Sequence, residues 1–274
     1  MGGNAFKASD GTNLTTEIRL NDVKVTLDHF LKAILNPLGI KEYKALGSTG
    51  KKKLSGDMDV AVSTQGIERN QFKKDFVADA KKILDSSRVR TVGQIAMIMY
   101  PIISSQTGKM TDESVQIDVM FTEDIENTGW MMSGSGDGAV KGVYRNLMFA
   151  YLAKSKSVAQ QEAGNDIKMT ISFPGGLQIK RDKKIVLKRT NEPAKVLKLI
   201  DILAEPSNVT TFEALVDYMV TVPKLKRLLS GYKEYIQAYV DKDPDNSGNA
   251  LKYIRQKIGV SESLRHLIQL ILKD

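Results

Sequence analysis

The chain has no cysteine among its 274 residues, and it has only two histidines and one tryptophan. The absence of cysteine excludes disulfide bonds and metal sites with thiolate ligands. It is also consistent with a reducing compartment, so we expect a cytoplasmic protein. The two histidines, His29 and His266, lie in segments with helical patterns. We expect them to pack or to face solvent rather than to bind a metal.

Long apolar runs are missing too. No segment approaches the roughly 18 apolar residues that a membrane-spanning helix needs. Residues 1–20 are polar and glycine-rich and lack the apolar core of a targeting peptide. Phe6 stands where an N-terminal acylation signal has Ser or Thr. We therefore expect a soluble protein without a membrane partner.

The composition is that of a globular protein, with 42% hydrophobic and 26% charged residues. The length allows one domain or two. The formal net charge of +8 and the pI near 9.3 favour an anionic partner, with nucleic acid as the leading candidate. A basic excess is also common in proteins that bind no nucleic acid.

Two aspartates in one apolar segment are the most informative feature. Asp57 and Asp59 alternate with Met58 and Val60, and in a strand such residues project from one face, roughly 6.6 Å apart. Two unpaired anions on a buried strand require a cation, most naturally a hard divalent ion such as magnesium. Asp118, in another strand-like run, would supply a third acid. The alternative is a pair of acids at a strand edge that faces solvent.

A glycine-rich turn precedes the acids. Gly47 and Ser48 begin the sequence Gly-Ser-Thr-Gly, in which backbone N–H groups and a serine hydroxyl can bind a phosphate closely. Three lysines follow at positions 51–53. Alone, such a turn or lysine triplet is more often a solvated loop, and its position before the acid pair is what favours a phosphate site.

Hydrophobic periodicity predicts the elements around these motifs. We expect a helix over Val23–Leu35, a second amphipathic helix from Phe72 to Leu84, and only helices from Pro193 onward, including a stripe at Leu264, Leu267, Ile268 and Ile271. Strands are expected at Ile40–Leu46, at Asp57–Ser63, within Arg88–Ile103 and around Asp118, with a polar connection over Ser104–Glu113. The result is a mixed sheet packed by helices, with the three acids near one end of adjacent strands.

A basic hairpin is predicted over residues 177–187, with its turn near Asp182. We assign a weak nucleic-acid-binding role to its four cations, Lys180, Arg181, Lys183 and Lys184, because basic clusters bind backbone phosphates. A lysine-rich edge strand that resists aggregation explains the same residues equally well.

The order of the motifs resembles the nucleotidyltransferase superfamily. Gly47-Ser48, then eight residues, then Asp57-Met58-Asp59-Val60 and a later strand with Asp118 carry the resemblance. The segment Ser55–Val60 is most similar to the polymerase-beta-like, family-X branch. Looser similarities lie at residues 132–148 and 176–194. The resemblance implies an α+β fold: an N-terminal segment and lead helix over 1–38, a catalytic domain with a mixed sheet over 39–192, and an all-α extension over 193–274.

The resemblance also implies the activity and its residues. A nucleoside monophosphate would move from an NTP or dNTP to an acceptor hydroxyl, with a nucleic-acid 3′ end as the leading acceptor, and pyrophosphate would leave. Asp57 and Asp59 would hold two Mg²⁺ ions, or Mn²⁺, and Asp118 would complete the site and act as the base. The implied nucleotide-binding residues are Gly47, Ser48, Lys51, Gly56, Ser133, Gly134, Lys141 and Arg145.

Two departures from the family pattern are visible. Lys51 stands where the family usually has an arginine, and Met131 and Met132 replace an aromatic pair that discriminates the sugar. Two other functions remain open: transfer to a small molecule or protein, and a non-catalytic module that binds nucleotide or nucleic acid. A complete set of three acids argues against the second, because a binding module does not need all three.

Overall fold

The computed structural model describes residues 5–134, 140–172, 176–182, 184–236 and 247–259. The chain divides into two compact units, Met1–Gly129 and Trp130–Asp274. Both contain helices and strands, and the larger sheet is mixed. The chain is therefore mixed α/β, which is compatible with the predicted α+β class. The nucleotidyltransferase identity of the fold stays a prediction.

A five-stranded sheet forms the centre of the first unit, with the strand order β2-β4-β7-β6-β5. The strands are β2 (Lys44–Ala45), β4 (Asp57–Ser63), β5 (Val89–Val92), β6 (Ile95–Ile103) and β7 (Met110–Thr122). Strands β4 and β7 run parallel, and the other neighbours are antiparallel. A separate two-stranded ribbon joins β1 (Ile18–Arg19) to β3 (Leu54–Ser55).

Two helices cover one face of this sheet. Helix α1 (Leu20–Phe30) continues into a π-helical turn, Leu31–Leu35, and a 3₁₀ turn, Asn36–Leu38, and helix α2 spans Arg69–Ile83. Their apolar side chains form one core with alternate residues of the strands, such as Val60 and Val119. Phe72 and Phe76 pack edge-on against Phe121 within that core, as their helical spacing predicted.

The structure corrects several predicted bounds. The first strand pairs over Lys44–Ala45 alone, since the preceding chain closes the helical end with a hydrogen bond from the Ile40 N–H to the Leu35 oxygen. The polar stretch Ser104–Glu113 is not all connection, because β7 begins at Met110 and its first residues pair with β6. Here cross-strand pairing overrides a local composition typical of turns.

The second unit surrounds helix α4 (Gly142–Glu162). Its antiparallel sheet contains β8 (Ile167–Ser172), β9 (Gly176–Arg181) and β10 (Lys184–Thr190). Helix α3 spans Ile125–Met131, and its residues from Trp130 onward belong to this unit. The remaining elements are α5 (Pro193–Leu199), the 3₁₀ turn Pro206–Val209, α6 (Phe212–Thr221), α7 (Pro223–Tyr235) and a helix over 247–259. Among the described helices, none is long and apolar enough to cross a membrane.

The unit boundary differs from the predicted domain ranges. Residues 1–38 do not stand apart, since Val23 and Phe30 pack into the same core as the central sheet. Residues 193–236 share a core with α4, for example through Val196 and Leu215. The chain therefore divides according to its two hydrophobic cores and not at residues 38 and 192. The predicted hairpin is present and turns at Asp182, whose φ is +48°, while Lys183 and the stripe from Leu264 to Ile271 lie outside the described residues.

Arg145 requires a correction. It is fully buried in the second core, with none of its surface exposed, and its guanidinium carbon lies 4.3 and 4.5 Å from the ring centroids of Trp130 and Phe149. Its nitrogens donate to the backbone oxygens of Val209 and Trp130 at 2.7 and 3.1 Å. Burial lowers its pKa to about 9, which leaves it charged at neutral pH. Arg145 is thus a buried residue of this core and is removed from the nucleotide-binding set.

We expect Arg145→Met to destabilise the chain by on the order of 3 kcal/mol, because buried carbonyl acceptors would lose their donor. Urea denaturation measures the free energy of unfolding. Arg227→Met, at an exposed position of α7, is the control and should change it little. Equal stability of the two variants would contradict the packing role of Arg145.

Candidate metal centre

Three carboxylates converge on the face of the central sheet that the two helices leave uncovered. Asp57, Asp59 and Asp118 each offer one oxygen, and these oxygens lie within 4.8 Å of one another. All three side chains are half-buried. The convergence that the sequence predicted is therefore confirmed, and the group could hold a metal ion.

Strand register produces the convergence. In the parallel β4–β7 pair, Asp59 lies opposite Asp118, and Asp57 lies opposite Gln116. Side chains alternate along a strand, so the residues between the acids, such as Met58 and Ile117, point into the apolar core. A shift of one residue in this register would bury the acids and expose the core residues. The core thus determines the face on which the acids lie.

Crowding and burial both disfavour the charged forms of these acids. Burial, together with the charges of Asp57 and Asp118, raises the pKa of Asp59 to about 7. Burial and the charge of Asp57 raise the pKa of Asp118 to about 6, although a hydrogen bond from Gln116 opposes the rise. Burial also raises the pKa of Asp57, against the positive charge of Lys52. A bound cation would relieve this repulsion.

The residues on either side of Gly47 and Ser48 form hydrogen bonds with the backbone of Asp59. The Leu46 N–H donates to the Asp59 oxygen at 2.9 Å, and the Asp59 N–H donates to the Thr49 hydroxyl at 2.8 Å. Gly47 has a φ of +56°, and a Cβ there would lie 3.5 Å from Asp59 Oδ2. The turn backbone therefore lies directly beside the acids, in a conformation that favours glycine.

The other predicted residues of the first unit lie around the same turn. Ser48 is half-buried within it, and its backbone oxygen accepts from the N–H of Lys51 at 3.1 Å, with Lys51 itself exposed. Gly56 joins the ribbon strand β3 to β4, immediately before Asp57. The structure thus places Gly47 beside Asp59, with Ser48 next to it in the turn and Gly56 immediately before Asp57, while Lys51 follows in the same turn, bonded through its backbone N–H to Ser48.

Three predicted residues belong to the second unit. The Ser133 hydroxyl oxygen lies 2.8 Å from the backbone oxygens of both Trp130 and Thr210, to either of which its single hydrogen can be donated, so it has a structural partner already. Gly134 lies against the start of α4, where a Cβ on Gly142 would come 2.6 Å from its Cα, and Lys141 is the N-cap residue of that helix. Their role in nucleotide binding stays a prediction.

Sequence reasoning did not identify Gln116 and Thr49 as parts of the site. Gln116 Nε2 donates to Asp118 Oδ1 at 2.8 Å, and its position two residues before Asp118 on the same strand was an available signal. Thr49 was visible only as a member of the turn. Its bond to Asp59 depends on the fold of the turn back onto β4, which no local pattern specifies.

Comparison with protein-family models gives no match for this chain, and a search of curated proteins gives none either.

In the absence of metal, we expect stability to fall as the pH rises. The acids have folded pKa values of about 7 and about 6 for Asp59 and Asp118, above the ordinary value of 3.8. The folded state therefore holds protons that the unfolded state releases, so the stability present at low pH is lost between roughly pH 4 and 7. Each pKa unit is about 1.4 kcal/mol, and the loss should reach a few kcal/mol.

Denaturation in EDTA at a series of pH values measures this slope. Asp59→Asn should flatten it, because the most strongly shifted group no longer titrates. Asp112→Asn changes an exposed acid on β7, the strand that carries Asp118, and should leave the slope intact. A slope that is the same in all three proteins would mean that the acids are not coupled as their geometry indicates.

Proposed function

We propose that this chain is a metal-dependent nucleotidyltransferase that moves a nucleoside monophosphate from an NTP or dNTP to an acceptor hydroxyl. The observation that carries the proposal is the set of three carboxylate oxygens within 4.8 Å of one another, beside a glycine turn that is bonded to Asp59. Acids for a cation and backbone for a phosphate thus lie together, as phosphoryl transfer requires.

The donor set fits a hard divalent ion. All three ligands are carboxylates, which suit Mg²⁺ and Mn²⁺, and the raised pKa values of Asp59 and Asp118 indicate anionic repulsion that a cation would offset. Asp57 and Asp59 would hold two Mg²⁺ ions, with Asp118 as a further ligand. When bound, the ions would supply positive charge to the reacting phosphate.

The residues of the first unit have distinct roles in this proposal. Ser48 and the turn backbone at Gly47 bind the β- and γ-phosphates, with Gly56 and the charge of Lys51 nearby. Asp118 accepts the proton of the acceptor hydroxyl. The acceptor oxygen forms a bond to the α-phosphorus, the bond between that phosphorus and the bridging oxygen of the β-phosphate breaks, and pyrophosphate leaves.

A nucleic-acid 3′ end is the acceptor we favour. The net charge of +8 supports an anionic partner. In the second unit, Lys168 lies opposite Lys180, and Arg181 lies opposite Lys184. Like charges in such cross-strand positions are destabilising, and backbone phosphates would offset their repulsion. If the acceptor is instead a small molecule or a protein side chain, labelled nucleotide will be transferred to that small molecule or protein.

We expect Asp57→Asn, Asp59→Asn and Asp118→Asn each to reduce transfer by about a thousandfold or more, because charge stabilisation by metal amounts to several kcal/mol. Labelled NTPs and dNTPs with an oligonucleotide measure strand extension and pyrophosphate release. Asp112→Asn, on the same strand as Asp118 but exposed, is the matched control. Full activity in any of the three variants, or loss in the control, would contradict the assignment.

Ser48→Ala should weaken NTP binding by roughly tenfold or more, because a hydrogen bond to a charged group contributes about 1.5–3 kcal/mol. The acceptor affinity should change much less. Titration with a non-hydrolysable NTP measures the first quantity, and the KM for the oligonucleotide measures the second. Ser86→Ala, at an exposed position, is the control. An unchanged affinity for NTP would remove Ser48 from the site.

A further inference from the structure

The N-terminal segment from Ala5 to Leu14 packs on the sheet beside the acids. Lys7 and Asn13 form a β-bridge, and the Leu14 N–H donates to the Phe6 oxygen at 2.9 Å. The Thr16 N–H then donates to the Ser114 oxygen on β7 at 2.7 Å. The segment therefore folds back on itself, and Thr16, which follows it, is bonded to β7, the strand that carries Asp118.

Phe6 anchors this segment. It is fully buried, with 0% of its surface exposed, against Met97 and Met99 of β6. These two methionines lie opposite Asp118 and Gln116 in the β6–β7 register. Arg90 lies over the Phe6 ring, 5.2 Å from its centroid, and also donates to the Ala5 oxygen. The buried Phe6 side chain and the bond from Arg90 therefore hold the backbone of Ala5 in place.

Two hydrogen bonds, through the side chain of Gln116, connect Ala5 to Asp118. The Ala5 N–H donates to Gln116 Oε1 at 3.0 Å, and Gln116 Nε2 donates to Asp118 Oδ1 at 2.8 Å. The Ala5 N–H therefore determines the orientation of the Gln116 amide. With the amide reversed, its NH₂ would face the Ala5 N–H and its oxygen would face the Asp118 carboxylate, and both contacts would be repulsive.

We propose that Ala5 and Gln116 position Asp118, by fixing the carboxylate so that its second oxygen is directed to the metal. This inference rests on the proposed function of the site. Neither residue touches substrate, so both are positioning residues. Partners of this kind orient metal ligands, and their loss typically weakens metal binding 10–100-fold. The N-terminal segment would thus be part of the active centre and not only a cover for the sheet.

A purely structural role predicts a different outcome. If Gln116 and Ala5 only help the segment to pack, their variants should lose stability while the folded protein keeps its metal affinity. Metal affinity of the folded protein therefore separates the two roles. It can be measured with Mn²⁺ alone, by the loss of the free-ion EPR signal, at a temperature where thermal unfolding shows every variant to be folded.

Two variants break the chain of hydrogen bonds at different points. Gln116→Met removes the donor to Asp118 at similar volume, and Ala5→Pro removes the backbone N–H that donates to Gln116. Ser9→Pro is the matched control for the proline, because Ser9 is the second residue of the turn in which the Gly11 N–H donates to the Ala8 oxygen, a position that proline favours. Asp118→Asn reports on the metal ligand itself.

We expect Mn²⁺ binding about tenfold weaker in Gln116→Met and in Ala5→Pro, and unchanged in Ser9→Pro. A wild-type affinity in Gln116→Met or Ala5→Pro, together with weak binding in Asp118→Asn, would overturn the positioning role and leave the metal centre intact. Undiminished binding in Asp118→Asn would remove Asp118 from the metal ligands and overturn both the three-acid centre and this inference. Weak binding in Ser9→Pro would also overturn the positioning role, since any disturbance of the segment would then suffice.

Discussion

Repulsion among three carboxylates is the constraint that the rest of the first unit has to overcome. The parallel pairing of β4 with β7 places their oxygens within 4.8 Å of one another, although burial and like charge both oppose this arrangement. The opposite face of the same strands supplies the apolar contacts that hold the register. The sheet thus stabilises the fold through one face and concentrates negative charge on the other, and the chemistry we propose belongs to that second face.

The two units hold buried charge in contrasting ways. In the first, Asp59 and its neighbours carry like charges with raised pKa values, an arrangement that a cation would stabilise. In the second, Arg145 is buried deeper, yet its guanidinium donates to backbone oxygens and lies against two aromatic rings, and only its Nη2 is left without a hydrogen-bond partner among the described residues. The first arrangement is typical of a site and the second of a core. This difference supports the acids as functional residues and explains why Arg145 is not one.

The sequence was informative where local pattern and burial agree. Strand β4 has the predicted bounds, and Asp57 and Asp59 share a face because side chains alternate along a strand, whereas the position of Asp118 beside them depends on the β4–β7 register. Arg145 was misassigned because its burial depends on the packing of Trp130 and Phe149, which no local pattern specifies. Thr49 and Gln116 were missed for a related reason: their hydrogen bonds to Asp59 and Asp118 depend on a turn geometry and an N-terminal segment that are fixed only in the folded chain.

A crystal structure of the chain with Mn²⁺ and a non-hydrolysable NTP would test the metal centre most directly, because manganese is located by its anomalous scattering. The proposed mechanism predicts manganese peaks within bonding distance, roughly 2.0–2.6 Å, of carboxylate oxygens of Asp57, Asp59 and Asp118, with the triphosphate against the turn at Gly47 and Ser48. Manganese bound elsewhere, with the three acids contacting only water or protein and the triphosphate away from the turn, would contradict it.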